Sequence, residues 1–160
     1  MTMHIDIQHA CNNETPEPDK VLKLWAETAL QHNQVSGELT LRFVEPLEIQ
    51  ELNRTFRKQD KTTNVLAFPT ELPDEVMLEL PFLGDVIICP EVLAEESIRL
   101  EKPIKAHWAH IIIHGILHLL GYDHIEDKDA EEMQRLEAEV LQQLGFANPY
   151  NDEEYNSERG

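Results

Sequence analysis

The chain has 160 residues, enough for one domain that buries a sizeable core without disulfide bridges. Its formal net charge is −18, from 31 acidic and 13 basic residues, so its overall field repels polyanions and argues against nucleic-acid binding unless the basic residues are concentrated in one place. The sequence shows neither an apolar run of about 18 residues, nor a basic and apolar N-terminal signal, nor a cysteine framework. We therefore expect a cytoplasmic protein with free thiols and no membrane contact.

Hydrophobic periodicity predicts strands and helices that are interspersed without regular alternation. This pattern indicates an α+β domain with one small mixed sheet of about four strands, packed with about five helices. We expect a single domain over residues 1–150 and a frayed acidic tail over residues 151–160. In chain order, the predicted elements are strand 3–9, helix 19–32, strand 39–43, a short helix from Pro46, loop 57–64, strand 65–68, loop 69–82, strand 83–89, a helix from Pro90, helix 103–120 and helix 128–144.

Three of these helices have an inner face that the spacing of apolar residues predicts. In helix 19–32, we expect the inner face to comprise Val21, Leu22, Leu24, Trp25 and Ala29. In the short helix that begins at Pro46, we expect Leu47, Leu52 and Phe56 to point inward. The inner stripe of the last helix is expected to comprise Met133, Leu136, Val140 and Leu144.

Five of the eight histidines lie within residues 107–124. His114 and His118 are four residues apart, so they project from one face of one helix and can bind the same metal ion. Gly121 ends that helix, and His124 can approach the ion from the following loop. Three neutral imidazoles leave a fourth position open, which is typical of catalytic rather than structural zinc. We therefore predict one zinc ion per chain on His114, His118 and His124, with other divalent transition metals as alternatives.

The histidine spacing equals that of the protease signature H-E-x-x-H-x-x-G-x-x-H, with one departure. Gly115 stands where the glutamate would act as the general base, so the sequence disfavours a zinc metalloprotease but leaves it open. We expect Gly115 to leave room beside the metal for a bulky substrate. His107 and His110 are expected to be structural or to support the ligands, and Asp85 and Asp123 are candidates to orient imidazole N–H groups.

A basic cluster lies in the loop that follows the short helix. Arg54, Arg57, Lys58 and Lys61 fall within eight positions of an otherwise acidic chain. Arginine can bind phosphate through two parallel hydrogen bonds and stabilise charge in a transition state. The loop is rich in hydrogen-bonding side chains and leads directly into strand 65–68, so we expect it to be held in place. Beside a metal, such a cluster could concentrate a phosphate group despite the unfavourable net charge.

Three segments of the chain resemble the bacterial YbeY family, metal-dependent endoribonucleases of ribosomal RNA maturation. These segments are residues 57–69 (RKQDKTTNVLAFP), residues 83–88 (LGDVII) and the histidine motif over residues 114–124. The resemblance covers about residues 37–150 and implies an α+β fold, a zinc ion on the three histidines and cleavage of single-stranded RNA. It further implies action at the 3′ end of 16S rRNA and in the removal of defective ribosomes, and it makes Arg57 the catalytic arginine.

Together with the residues themselves, this resemblance predicts metal-assisted hydrolysis of an RNA phosphodiester bond. Arg57 and His114 are the expected catalytic residues, and Arg57, Lys58 and Lys61 are the expected RNA-binding residues. The general base stays open between metal hydroxide and Asp85. The expected partners are single-stranded RNA, 16S rRNA and the ribosome or its small-subunit proteins. A non-catalytic ribosome-assembly factor also stays open, because an acidic body suits binding to basic ribosomal proteins.

Overall fold

The computed structural model describes residues 2–70, 80–122 and 126–150. Within these ranges it contains a four-stranded mixed sheet and five helices, which confirms the predicted α+β single domain. No helix in the described ranges is both long enough and apolar enough to cross a bilayer. The predicted tail over residues 151–160 lies outside them, as does most of the predicted loop over residues 69–82. The strands are β1 (Met3–Ala10), β2 (Gly37–Val44), β3 (Val65–Pro69) and β4 (Phe82–Ile88), and the helices are α1 (Asp19–His32), α2 (Pro46–Arg57), α3 (Pro90–Arg99), α4 (Ile104–Leu119) and α5 (Asp127–Gln143).

The sheet has the strand order β1-β2-β4-β3. β1 and β4 both pair with β2 in parallel, whereas β3 pairs with β4 in the antiparallel sense and forms one edge. The central strand β2 buries Leu39, Leu41 and Phe43 completely. Near-continuous burial of this kind is typical of a parallel strand that is covered on both faces.

The two faces of the sheet carry separate hydrophobic clusters. Alternation along β4 directs Val86 and Ile88 to one face and Ile87 to the other. The first face packs against α1 and α4 in the main core, where Trp108 is only 2% exposed, and α5 packs against these two helices. The second face carries a smaller cluster that includes Ile49 of α2. The helix bearing the histidines therefore lies on the main-core side of the sheet.

The inner face predicted for α1 is wrong at Leu24, which is 52% exposed, and the inner face predicted for α2 is largely wrong. Leu47 is 73% exposed and Phe56 is 61% exposed, although Leu52 is partly buried as expected. The residues that α2 buries are Ile49 and Asn53. The helix therefore docks through a narrow contact in which a polar side chain takes part.

Helix α4 runs through the middle of the domain and contacts α1, α3, α5, β3 and β4. Ten of its 16 residues are buried, as expected for an internal helix. The helix ends as predicted at Gly121, whose φ of +103° lies in the left-handed region. The N–H groups of Gly121 and Tyr122 donate to the carbonyl oxygens of His118 and Leu117, each at 3.0 Å. These two bonds form a Schellman motif, which turns the chain away directly after the last histidine of the helix.

Candidate metal centre

Two of the three predicted metal ligands lie together on α4. The rings of His114 and His118 have centroids 4.6 Å apart and planes at 79° to each other. Both side chains are half-buried near the end of the helix. The predicted third ligand, His124, and the supporting residue Asp123 lie outside the described residues. The structure thus brings His114 and His118 together, and the three-histidine site stays a prediction.

Glu137 of α5 is a residue of this region that the sequence analysis missed. Its side chain is only 1% exposed although it carries a carboxylate. Its Oε1 accepts a hydrogen bond from Nδ1 of His114 at 2.5 Å, and its Oε2 accepts from Nε2 of His110 at 3.0 Å and from the Tyr150 hydroxyl. A sequence signal existed, because Glu137 follows the buried Met133 by four positions and so lies on the buried stripe of the helix.

The hydrogen bonds to Glu137 determine its charge. Burial alone would raise the pKa of this carboxyl, but the bonds from His110 and His114 outweigh burial and lower the pKa from 4.5 to about 2. The group is therefore a carboxylate at neutral pH and accepts hydrogen bonds from both rings. When Nδ1 of a neutral imidazole donates its proton, the lone pair of the ring lies on Nε2. A histidine held in this way is in the form in which imidazole commonly binds a metal.

The donor atoms in this region fit a metal ion. Within the described residues, His110, His114 and Glu137 each offer one ligand atom, and these atoms lie within 4.8 Å of one another. This group overlaps the predicted site at His114 and differs from it in its other members. Imidazole nitrogen and carboxylate oxygen suit zinc and other divalent transition metals. A metal at the histidine cluster is therefore chemically reasonable, and the donor set does not select one metal.

Gly115 does not open space beside the metal, contrary to the expectation from the sequence. A Cβ atom at this position would lie 2.7 Å from Cγ1 of Val86 and 2.9 Å from Cγ2 of Val65. Carbon atoms in good contact are about 3.5–4.0 Å apart, so only glycine lets α4 approach β3 and β4 this closely. A glutamate would meet the same wall of side chains. Position 115, where the protease signature has its catalytic glutamate, therefore has no room for that side chain.

The basic loop after α2 is held by hydrogen bonds to its backbone. Lys58 ends the helix in the left-handed conformation with φ of 61°. The N–H of Gln59 donates to the carbonyl oxygen of Asn53 at 3.2 Å, and Nδ2 of Asn53 donates to the carbonyl oxygen of Lys61 at 3.0 Å. These contacts agree with the expectation that the loop is held in place. Lys58 and Lys61 are exposed, so a large polyanion can reach both side chains.

Arg57 is tied to the edge strand β3. Its Nη2 donates to the carbonyl oxygen of Ala67 at 2.7 Å, and its guanidinium carbon lies 5.6 Å from the centre of the Phe68 ring. The second distance is typical of a cation–π contact. Helix α4 packs on the same strand, where Gly115 approaches Val65. Strand β3 therefore links the predicted catalytic arginine to the helix that carries the histidines.

Two other candidate supporting residues lie apart from the histidine pair. Asp85 precedes Val86 on β4, so its side chain points to the opposite face of the sheet from α4. Burial raises the pKa of Asp85 there, and a hydrogen bond from Thr40 partly offsets this effect. The structure therefore does not bring Asp85 against the imidazoles of His114 and His118. His107 is buried, and its Nε2 lies 3.0 Å from a carboxylate oxygen of Glu96.

The fold and this site together define an α+β domain with a candidate metal centre on its central helix. The family model described as "Endoribonuclease YbeY" matches residues 6–145. An endoribonuclease YbeY of Legionella pneumophila (strain Corby) is 54% identical over 155 residues, which cover 96% of this chain and 98% of the relative. An endoribonuclease YbeY of Pseudomonas putida is 50% identical over 155 residues, which cover 97% and 98%. The chain belongs to the endoribonuclease YbeY family.

A solved structure supports the fold. The solution structure of TM1509 from Thermotoga maritima matches with a TM-score of 0.55 and 29% sequence identity. The match covers 92% of this chain and 95% of that chain. The domain is therefore similar to that protein over nearly the whole length of both chains.

Proposed function

We propose that this protein is a metal-dependent endoribonuclease that cuts single-stranded RNA and acts in 16S rRNA 3′-end maturation and in ribosome quality control. The observation that carries the proposal is the pair His114 and His118 on the central helix of a chain that belongs to the endoribonuclease YbeY family. In this proposal the protein works in the cytoplasm as one domain over residues 1–150, followed by an acidic tail over residues 151–160. Its partners are single-stranded RNA and the ribosome or its small-subunit proteins.

The proposal gives each predicted residue a chemical role. Arg57 stabilises the negative charge that develops on the phosphate in the transition state, from a position fixed by its bond to Ala67. Lys58 and Lys61 bind flanking phosphates of the RNA. A metal held by the histidines would supply Lewis-acid chemistry, by which water is activated and a phosphoryl oxygen polarised. The proposed ligands of one zinc ion per chain are His114, His118 and His124.

The distribution of charge supports a polyanionic substrate in spite of the net charge of −18. At physiological salt, charges separated by more than about 8 Å are largely screened from each other. At the exposed end of α2, residues 54–61 carry four basic side chains and one acidic side chain, Asp60, so an RNA strand there meets a local net positive charge. The surroundings of Gly115 also disfavour the protease alternative, because a glutamate has no room there.

The test is a cleavage assay on a 5′-labelled single-stranded RNA. The purified protein is stripped with a chelator and reloaded with one metal at a time. We expect cleavage by the metal-loaded protein and loss of cleavage after chelation. His114→Ala and Arg57→Ala should each lower the rate about 100-fold or more, while circular dichroism shows an intact fold.

Arg135→Ala serves as the matched control for Arg57→Ala. Arg135 is also an exposed helical arginine, and it forms an ion pair with Glu139 on α5. We expect this variant to cut RNA at the wild-type rate. Full cleavage by the metal-free protein would refute the proposal. Cleavage of casein without cleavage of RNA would favour the protease instead.

A further inference from the structure

Glu137 occupies a place where a charged side chain is unfavourable. It lies on the buried stripe of α5, which packs against α4. A carboxylate is tolerated in such a place only when it is paired and hydrogen-bonded. Three donors meet this requirement, because His110, His114 and Tyr150 all converge on the two carboxylate oxygens.

Two arrangements would account for these contacts. In the first, Glu137 is itself a metal ligand together with His110 and with Nδ1 of His114. In the second, Glu137 holds the His114 ring by a hydrogen bond, and the metal binds the other nitrogen of that ring. The two arrangements differ in the separation that they require between Nδ1 of His114 and Oε1 of Glu137.

The observed separation favours the hydrogen bond. Two donors bound at about 2.0–2.1 Å to one tetrahedral zinc ion lie about 3.4 Å apart. Nδ1 of His114 and Oε1 of Glu137 are 2.5 Å apart, which is slightly closer than the usual 2.7–2.9 Å of a charge-assisted N–H···O bond and much closer than two ligands of one ion. Nδ1 therefore carries the proton, and the lone pair of the neutral ring lies on Nε2.

The remaining contacts fix the carboxylate in this orientation. His110 and Tyr150 both bond to Oε2, while Oε1 bonds to His114. The carboxylate is thus held from two sides, with one oxygen directed at the His114 ring. The centroid of the His118 ring lies 4.6 Å from that of the His114 ring, so the second candidate ligand is next to the ring that Glu137 orients.

We propose that Glu137 is a positioning residue, whose carboxylate accepts the Nδ1 proton of His114 and fixes the tautomer and ring orientation that present Nε2 to the metal. The inference rests on the proposed function in taking His114 and His118 as metal ligands. A carboxylate in this role also makes the ligand more basic, and its loss weakens metal binding about 10- to 100-fold.

The test compares Glu137→Gln with Glu96→Gln in the full chain. Both changes remove a carboxylate that bonds to a histidine of α4, but Glu96 bonds to His107, outside the proposed metal site. Metal-free protein is titrated with Zn²⁺ and with Co²⁺ in competition with a chelator of known affinity. We expect Glu137→Gln to weaken binding about 10- to 100-fold and Glu96→Gln to change it by less than about two-fold.

Two results of the metal titrations would overturn the positioning role. One is an unchanged metal affinity in folded Glu137→Gln protein. The other is metal binding that survives His118→Ala but is lost in His110→Ala, because Glu137 would then be a ligand. RNA cleavage is scored separately, so wild-type protein that binds zinc without cutting RNA refutes the proposed function and leaves the affinity result intact.

A second measurement decides the matter if Glu137→Gln does not fold. Imidazole ¹⁵N chemical shifts of zinc-loaded wild-type protein report which nitrogen of His114 carries the proton. Protonation at Nδ1 supports the positioning role. Protonation at Nε2 overturns it, because the metal would then lie on the Glu137 side of the ring.

Discussion

Replacing Gly115 with alanine should destabilise the protein, although alanine is the better helix former. In an exposed helix the change would gain about 1 kcal/mol. In α4 the new Cβ would lie 2.7 Å from Cγ1 of Val86 and 2.9 Å from Cγ2 of Val65. Overpacking of a core costs about 1–3 kcal/mol, and two contacts this short favour the upper part of that range. The expected net loss in the free energy of unfolding is therefore about 1–2 kcal/mol.

Urea unfolding followed by circular dichroism measures this loss, with a chelator present so that a bound metal does not contribute. The matched background is Val86→Ala, which removes the nearer methyl group. In that background Gly115→Ala should cost at least about 1 kcal/mol less. A Gly115→Ala protein that is more stable than wild type, or one with the same loss in both backgrounds, would refute the argument that close packing requires a glycine here.

Three further predictions concern the anchor of the basic loop, the carboxylate of Glu96 and the binding of zinc. Asn53→Ala removes the bond to the Lys61 carbonyl and should lower the free energy of unfolding by about 1–3 kcal/mol and weaken RNA binding in a filter assay. Unchanged RNA affinity would show that the basic loop does not depend on this anchor. Burial would raise the pKa of Glu96, but hydrogen bonds from His107 and Asn64 lower it below its ordinary 4.5. The folded protein then binds fewer protons than the unfolded chain, so this contribution is present above about pH 4.5 and is lost as the pH falls through the folded value. Glu96→Gln should therefore lose less stability than wild type between about pH 5 and about pH 3 in urea titrations, and parallel curves would contradict this assignment. Zinc at 100 times its dissociation constant should raise the free energy of unfolding by about 2.7 kcal/mol, whereas identical unfolding curves with and without zinc would exclude a site formed by the folded state.

Elements that are bounded by local signals could be predicted from the sequence. Helix α1 was predicted from Asp19 to His32 and is found at those bounds, because its amphipathic spacing lies within the element itself. The face that α2 buries could not be predicted in this way. Phe56 stays at the surface and packs its ring edge-on against Phe68, with centroids 5.3 Å apart. The side of a short helix that faces the core depends on the sheet on which it docks, and its own spacing does not determine that choice.

The same distinction applies to the candidate site. His114 and His118 could be predicted because both lie on one helix, whose geometry alone puts them on one face. Glu137 lies 23 positions after His114 on another helix, so its contact depends on how α4 and α5 pack. The role of Gly115 was predicted wrongly for the same reason, since its neighbours come from β3 and β4. Spacing predicted two of the ligand candidates, whereas the groups around them required the tertiary structure.

If Arg57 is catalytic, as proposed, strand β3 is expected to couple stability to activity in this domain. It is an edge strand paired only with β4 among the described strands, so it is easier to displace than the centre of the sheet. It contacts α4 at Gly115, and it holds Arg57 through the Ala67 carbonyl. A side chain at position 115 that pushes β3 away therefore also moves Arg57 relative to the histidines, and a misplacement of about 1 Å can cost 10²-fold in rate. Leu30→Val in α1 is a core substitution remote from β3 that should lower the free energy of unfolding by about 1 kcal/mol without displacing Arg57. The two variants should therefore differ in RNA cleavage even where both are fully folded.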